Sequence, residues 1–226
     1  MAFTLDKVVP WGRSYQEYVD MFSLTGGDLQ HRILGCGDGP ASFNAEHTNR
    51  GGAVVSFDPI YQFEADQIRA RIGETYQTVI TQLRQNSNNY VWDRISSIER
   101  LSEIHLSAME RFLGDFQKGK EEGRYIPGEL PSLPFKADTF DLALSSHFLF
   151  LYSDHLTEEF HIHSLSEMLR VTDEARISPL MTLGSAVSPH LAPVQKHFEK
   201  HQFAVEIRNV AYEFQRGSTD DGEGFI

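Results

Sequence analysis

The period of the hydrophobic positions changes several times along the chain, and each change marks an element. Ile33 and Leu34 are an apolar pair that runs straight into glycines at alternate positions, Gly35, Gly37 and Gly39. Ala53-Val-Val-Ser-Phe57 is a β-rich run that closes on Asp58-Pro59, and Phe140-Asp-Leu-Ala-Leu-Ser-Ser146 reads as a buried strand. Tyr125-Ile126 reads as a short strand. The run from Ala175 to Thr182 is a strand that bends or ends at Pro179. Phe203 to Val210 alternates apolar and polar as a strand does.

Helical spacing fills the intervals. Ser14 is placed to cap a helix from Tyr15 to about Phe22, and Pro40 to about Thr48 is a second helix. Ile68, Ile72, Tyr76, Val79, Ile80 and Leu83 recur at three and four residues, which predicts a long amphipathic helix ended by Asn86-Ser-Asn-Asn89. Two more helices are expected from about Val91 to Leu101 and from about Ser102 to Phe116. The last two run from Leu156 to Arg170 and from about Ala192 to Lys200. Strands alternating with helices predict an α/β fold. Residues 86–120 exceed what a crossover between neighbouring strands needs, so they read as a helical insertion between strands two and three. It serves either as a cap over a substrate or as the face of a homodimer.

A strand that ends in a glycine turn and opens a helix is a ligand-cradling arrangement, because glycine lets a ligand approach the backbone. Pro40 suits the first helical position, and exposed N–H groups there favour an anionic group. The alternative is a plain structural turn. Asp58 follows about twenty residues later, where such folds set a carboxylate against ribose hydroxyls. An Asp before a Pro is equally a good turn-starter. Arg13, Tyr15 and Tyr18 either fold over a ligand or simply pack as a surface helix.

Composition narrows the classes. The chain of 226 residues fits one domain over residues 1–226, carrying the insertion within it. A formal net charge of −12 argues against nucleic acid as a partner. Cys36 is the single cysteine, so no intramolecular disulfide forms and a reducing compartment is expected. The N-terminus lacks a signal-peptide pattern and no apolar run reaches membrane-span length, so a cytoplasmic protein with no membrane partner is expected. The glycine-rich stretch from Gly217 to Gly224 is a polar tail.

Taken in order, Leu34-Gly-Cys-Gly-Asp-Gly39, Asp58, and Gly128-Glu-Leu-Pro-Ser-Leu-Pro-Phe135 with Phe140-Asp-Leu-Ala-Leu-Ser-Ser-His147 make the chain resemble the class I S-adenosylmethionine-dependent methyltransferases. The resemblance covers roughly residues 30–61 and 124–215. It implies a Rossmann-like, mostly parallel sheet of seven strands, or six, flanked by helices. It implies S-adenosyl-L-methionine as cofactor and a small molecule as substrate. By the resemblance Gly35, Cys36, Gly37, Asp38 and Gly39 line the methionine and ribose part. Asp58 binds the ribose, Glu129 and Leu130 meet the adenine, and Ser145, Ser146 and His147 face the reacting sulfonium. Two departures stand out. The family's acid two residues before the first glycine is Ile33 here, so backbone carbonyls and Asp38 take over its role or the methionine end binds poorly. The family ends in an antiparallel hairpin; here the strand near Phe203–Val210 supplies one arm, but the closing strand has only Gly224-Phe-Ile226, which puts the last strand in doubt.

Methyl transfer needs positioning and exclusion of water more than a fixed set of catalytic groups. A base is required only when the acceptor must lose a proton, and His147 is the candidate. Its other reading is a hydrogen-bonded histidine at a strand end. His161 and His163 are two residues apart on a helix and face different directions, so no metal is expected. A protein that binds the cofactor without catalysis is the second reading. A nicotinamide-dependent oxidoreductase is the third, and the Leu-Pro-Phe loop counts against it.

Overall fold

The computed structural model describes residues 10–89, 91–92, 95–210 and 212. Five strands form one sheet: β1 (Arg32–Cys36), β2 (Ala53–Phe57), β3 (Tyr125–Ile126), β4 (Leu142–Ser146) and β5 (Glu174–Ser178). Their order is β3-β2-β1-β4-β5, and every pairing is parallel. The chain steps outward from β1 to β3, then crosses back to the other side of β1. Such a reversal opens a crevice beyond the carboxyl ends of the central strands.

The helices are α1 (Tyr15–Met21), α2 (Phe43–Asn49), α3 (Ala65–Gln85), α4 (Ile98–Glu121), α5 (Glu158–Val171) and α6 (Leu191–Lys200). Successive strand residues point to opposite faces, so a strand buried on both faces is apolar at consecutive positions. Ile33, Leu142 and Leu144 join side chains of α1 to α4 on one face. Leu34, Cys36 and Ala143 join those of α5 and α6 on the other. This explains why Ile33-Leu34 and Leu142-Ala143-Leu144 read as continuous apolar runs. Among the described residues, no helix is long and apolar enough to cross a membrane.

Several expected boundaries move. Ser14 does cap α1, in a capping box with Glu17. Pro40, however, lies in a turn, and α2 starts at Phe43. Gly39 has a φ of 54° and its carbonyl accepts from the Tyr61 hydroxyl at 2.8 Å, so the chain must leave the turn before it can wind. The expected break at Leu101-Ser102 does not occur. Leu101, His105, Ala108, Phe112 and Phe116 make one buried stripe, and a single helix of 24 residues follows the Ser97 cap.

α4 packs on α2 and α3 and meets β3, so it is a layer of the core rather than a separate cap. Residues Phe203 to Val210 form no strand. Alternation marks a half-buried strand only where a partner exists, and here Phe203 and Ile207 stand 45% and 40% exposed. The described sheet therefore has five strands and not six or seven. Gly224-Phe-Ile226, and the glycine-rich stretch from Gly217, lie outside the described residues.

Candidate functional site

A cavity of about 660 Å³ opens beyond the carboxyl ends of the central strands. Its wall brings together three stretches that are far apart in sequence: Gly37 and Gly39 after β1, Asp58 after β2, and Glu129 with Leu130 after β3. His147, immediately after β4, joins them.

Gly37 and Gly39 both have positive φ, at 72° and 54°, which explains glycine at each. A Cβ on Gly39 would meet nothing within 4 Å, so the backbone there lies open. A Cβ on Gly37 would lie 2.9 Å from the Phe148 ring. Asp58 ties the turn down. Its Oδ2 accepts from the Gly39 N–H at 2.9 Å and its Oδ1 from the Ile60 N–H at 2.8 Å. Burial pushes its pKa up to about 6; those two donors pull it down, and the Asp38 charge adds to the rise. Asp58 is thus also the turn-starter expected of Asp-Pro, capping a 3-10 turn over Pro59–Gln62.

Gly128 begins the third stretch. A Cβ there would lie 2.3 Å from the Phe57 ring, so glycine lets the loop lie flat on the end of β2. The remaining wall is largely apolar, with Ile60, Phe63, Leu156 and Phe160, and Arg71 adds one cationic side chain.

His147 has a φ of 53°, uncommon for a side-chain-bearing residue, and its N–H donates to the Ser178 carbonyl at 2.7 Å. The pairing of β4 with β5 thus holds the backbone in that conformation. Its Nδ1 lies 2.9 Å from Ser146 Oγ. Burial pushes the imidazole well below its ordinary pKa, and the nearby Arg13 and His105 push the same way against Glu17. Burial thus favours the neutral form of His147.

The other expected site residues are elsewhere. Gly35 lies within β1, where a Cβ would meet the Asp38 carboxylate at 1.8 Å. Cys36 is buried in the core, and burial raises its thiol pKa. Asp38 turns inward, accepting from the Tyr18 hydroxyl at 2.8 Å and from Ser56 Oγ at 2.6 Å. Burial pushes its pKa up to about 6 against those two donors. Ser145 and Ser146 are buried behind His147. Tyr15 and Tyr18 stack on Phe43, and Arg13 contacts His105 at 2.9 Å, so the helix packs inward rather than over the cavity. His161 uses Nδ1 on its own helix, at the Thr157 carbonyl.

Phe148 and Phe63 were not legible as wall residues. An apolar run such as Phe148-Leu-Phe-Leu151 does not say which ring turns outward. The one signal for Phe148 is its place directly after His147.

No protein-family model matches the chain, and no solved structure matches it. It is 30% identical over 214 residues to the uncharacterized protein MJ0045 of Methanocaldococcus jannaschii, with 94% of each chain covered. Identity at that level over nearly the whole of both chains means that the chain belongs to the same family as MJ0045.

Proposed function

We propose that the protein is a methyltransferase that uses S-adenosylmethionine and acts on a small-molecule acceptor, in the cytoplasm. The observation that carries the proposal is convergence. The glycine turn, Asp58 and the Gly128–Leu130 loop, each picked out separately by the family resemblance, line one cavity beside His147.

The residues present fit the cofactor. The open backbone at Gly39 permits close approach. A carboxylate has about four lone-pair sites, and Asp58 uses two on backbone N–H groups. The two that remain suit a pair of ribose hydroxyls. Glu129 suits an exocyclic amino group. When bound, the cofactor supplies an electrophilic methyl group on a cationic sulfur.

The chain's own residues supply the surroundings. Phe57, Phe148, Leu156 and Phe160 make a wall that excludes water. Neutral His147 accepts a proton from an acceptor group at the cavity wall.

One observation favours the second reading, a binding protein without turnover. Ile33 is fully buried and Asp38 faces inward, so neither offers a carboxylate to the cofactor's ammonium group. Incubation with S-adenosylmethionine and a panel of small hydroxyl and amine compounds separates the two. Acceptor-dependent release of S-adenosylhomocysteine supports the enzyme. Tight cofactor binding without release across the panel favours the binding protein.

A further inference from the structure

The proposed cofactor takes the glycine turn, Asp58 and the Gly128–Leu130 loop. Two wall residues on the β2 side, Phe63 and Arg71, are then left without a task.

Phe63 directly precedes Glu64, the cap of α3. An apolar residue there often packs on the fourth helical position, here Ile68. Ile68 is buried with Tyr61, Phe112 and Phe116, and Phe63 is not part of that cluster. Among the described residues it joins neither of the other two apolar clusters. It stands 45% exposed where it lines the cavity. The ring is therefore free to take an apolar ligand surface.

Arg71 is the cation of the described wall. Its Nη1 donates to Glu74 Oε2 at 2.9 Å, one turn further along α3. Both side chains are exposed, and an exposed pair of this kind adds little to stability. The guanidinium has five N–H donors, and the contact with Glu74 uses one. Its planar fork matches a carboxylate. Aromatic surface with a few placed polar groups is the make-up of a small-molecule pocket.

Charge decides what can lie there. The wall also carries the carboxylates of Asp58 and Glu129, and the chain has a net charge of −12. An anion is therefore repelled except where it meets Arg71. At physiological ionic strength exposed charges more than about 8 Å apart are largely screened. Arg71 thus selects a group that touches it.

We propose that Phe63 and Arg71 are specificity-determining residues for an amphipathic anion, with an aromatic or similarly apolar body on Phe63 and a carboxylate on Arg71. That this anion is the methyl acceptor rests on the proposed function; the anion site itself does not.

The probes are naphthoate and its uncharged counterpart, naphthalenemethanol, titrated into the ligand-free protein and followed by NMR. Naphthoate should bind about fivefold more tightly than the alcohol, the upper end for an exposed ion pair. Arg71→Gln should abolish that preference, and Arg71→Lys should keep part of it. Phe63→Ala should weaken both probes alike. Glu74→Gln should raise the affinity for naphthoate, because a competing carboxylate is gone. The preference should shrink at about 1 M salt. All three positions are exposed, so the variants should keep the parent's melting temperature. No saturable binding of naphthoate, equal affinity for the two probes, or a preference that survives Arg71→Gln overturns the proposal. Titration with S-adenosylhomocysteine separates this claim from the proposed function. Naphthoate preference without binding of that nucleoside keeps the anion site and removes the methyl acceptor. Nucleoside binding without naphthoate preference keeps the cofactor and removes the anion site. Displacement of naphthoate by saturating nucleoside would put the probe in the cofactor's place and also overturn the proposal.

Discussion

The Gly39 N–H donates to Asp58 Oδ2 at 2.9 Å, joining the turn after β1 to the end of β2. The acid predicted to hold a ligand also holds the turn that would hold it. The same carboxylate accepts from Ile60, so it has a structural task without any ligand.

Asp58→Ala is therefore expected to act twice. It leaves two backbone donors without their partner, which should lower stability by about 1–3 kcal/mol. It should also weaken S-adenosylhomocysteine binding by roughly 1.5–3 kcal/mol, the scale of hydrogen bonds to a charged group. Denaturant titration with and without ligand measures both. Unchanged stability would contradict the first role, and equal affinity the second.

Gly37→Val tests the cradle. The φ of 72° strains any β-branched residue, and the new Cβ meets the Phe148 ring. The variant should lose stability, and affinity should vanish even at temperatures where it is fully folded. A folded Gly37→Val with normal binding of S-adenosylhomocysteine would remove the turn from the site. Adding Phe148→Ala should recover part of the lost stability and none of the affinity.

Gly128→Ala should cost about 1–3 kcal/mol, the usual scale for overpacking, because its methyl group enters the Phe57 ring. The double variant Gly128→Ala with Phe57→Leu should lose less than the sum of the two single losses. Strict additivity in a thermodynamic cycle would show that the contact does not shape the loop.

Asp38 carries a pH prediction. Its folded-state pKa is pushed up to about 6, from an ordinary 3.8, chiefly by burial. The native state then binds more protons than the unfolded one between about pH 4 and 6, so this contribution is fully present below that window and is lost as pH rises through it. Asp58 acts in the same direction. Glu17 acts oppositely, because burial is outweighed by His105, Arg13 and Ser14, which hold its carboxyl well below the usual range. The difference between the parent and Asp38→Asn isolates one group. The parent should lose roughly 2–3 kcal/mol relative to the variant from pH 4 to 6. A pH-independent difference would contradict it.

The parts of the site that were legible share a cause. Gly37, Gly39 and Asp58 follow strands whose apolar runs mark their ends, and a parallel sheet brings such ends to one edge. His147 was legible for the same reason. The contacts of Asp38 were not, because a side chain directly after a strand can turn to the cavity or beneath the turn, and Tyr18 and Ser56 decide that from other elements. α4 was misread because Ser102 and His105 look like surface positions. They are buried, and His105 is satisfied by Glu17 at 2.8 Å. The segment from Phe203 to Val210 shows the converse, a good strand pattern with no strand beside it among the described residues.

The central claim is that this cavity binds a sulfonium nucleoside cofactor. Calorimetric titration of the unaltered protein with S-adenosylhomocysteine and S-adenosylmethionine, with a nicotinamide dinucleotide as control, tests it most directly. Saturable binding of the first two and none of the control is expected, with about 2.7 kcal/mol of added stability at one hundred times the dissociation constant. No heat and no stabilisation from either ligand at millimolar concentration would contradict it.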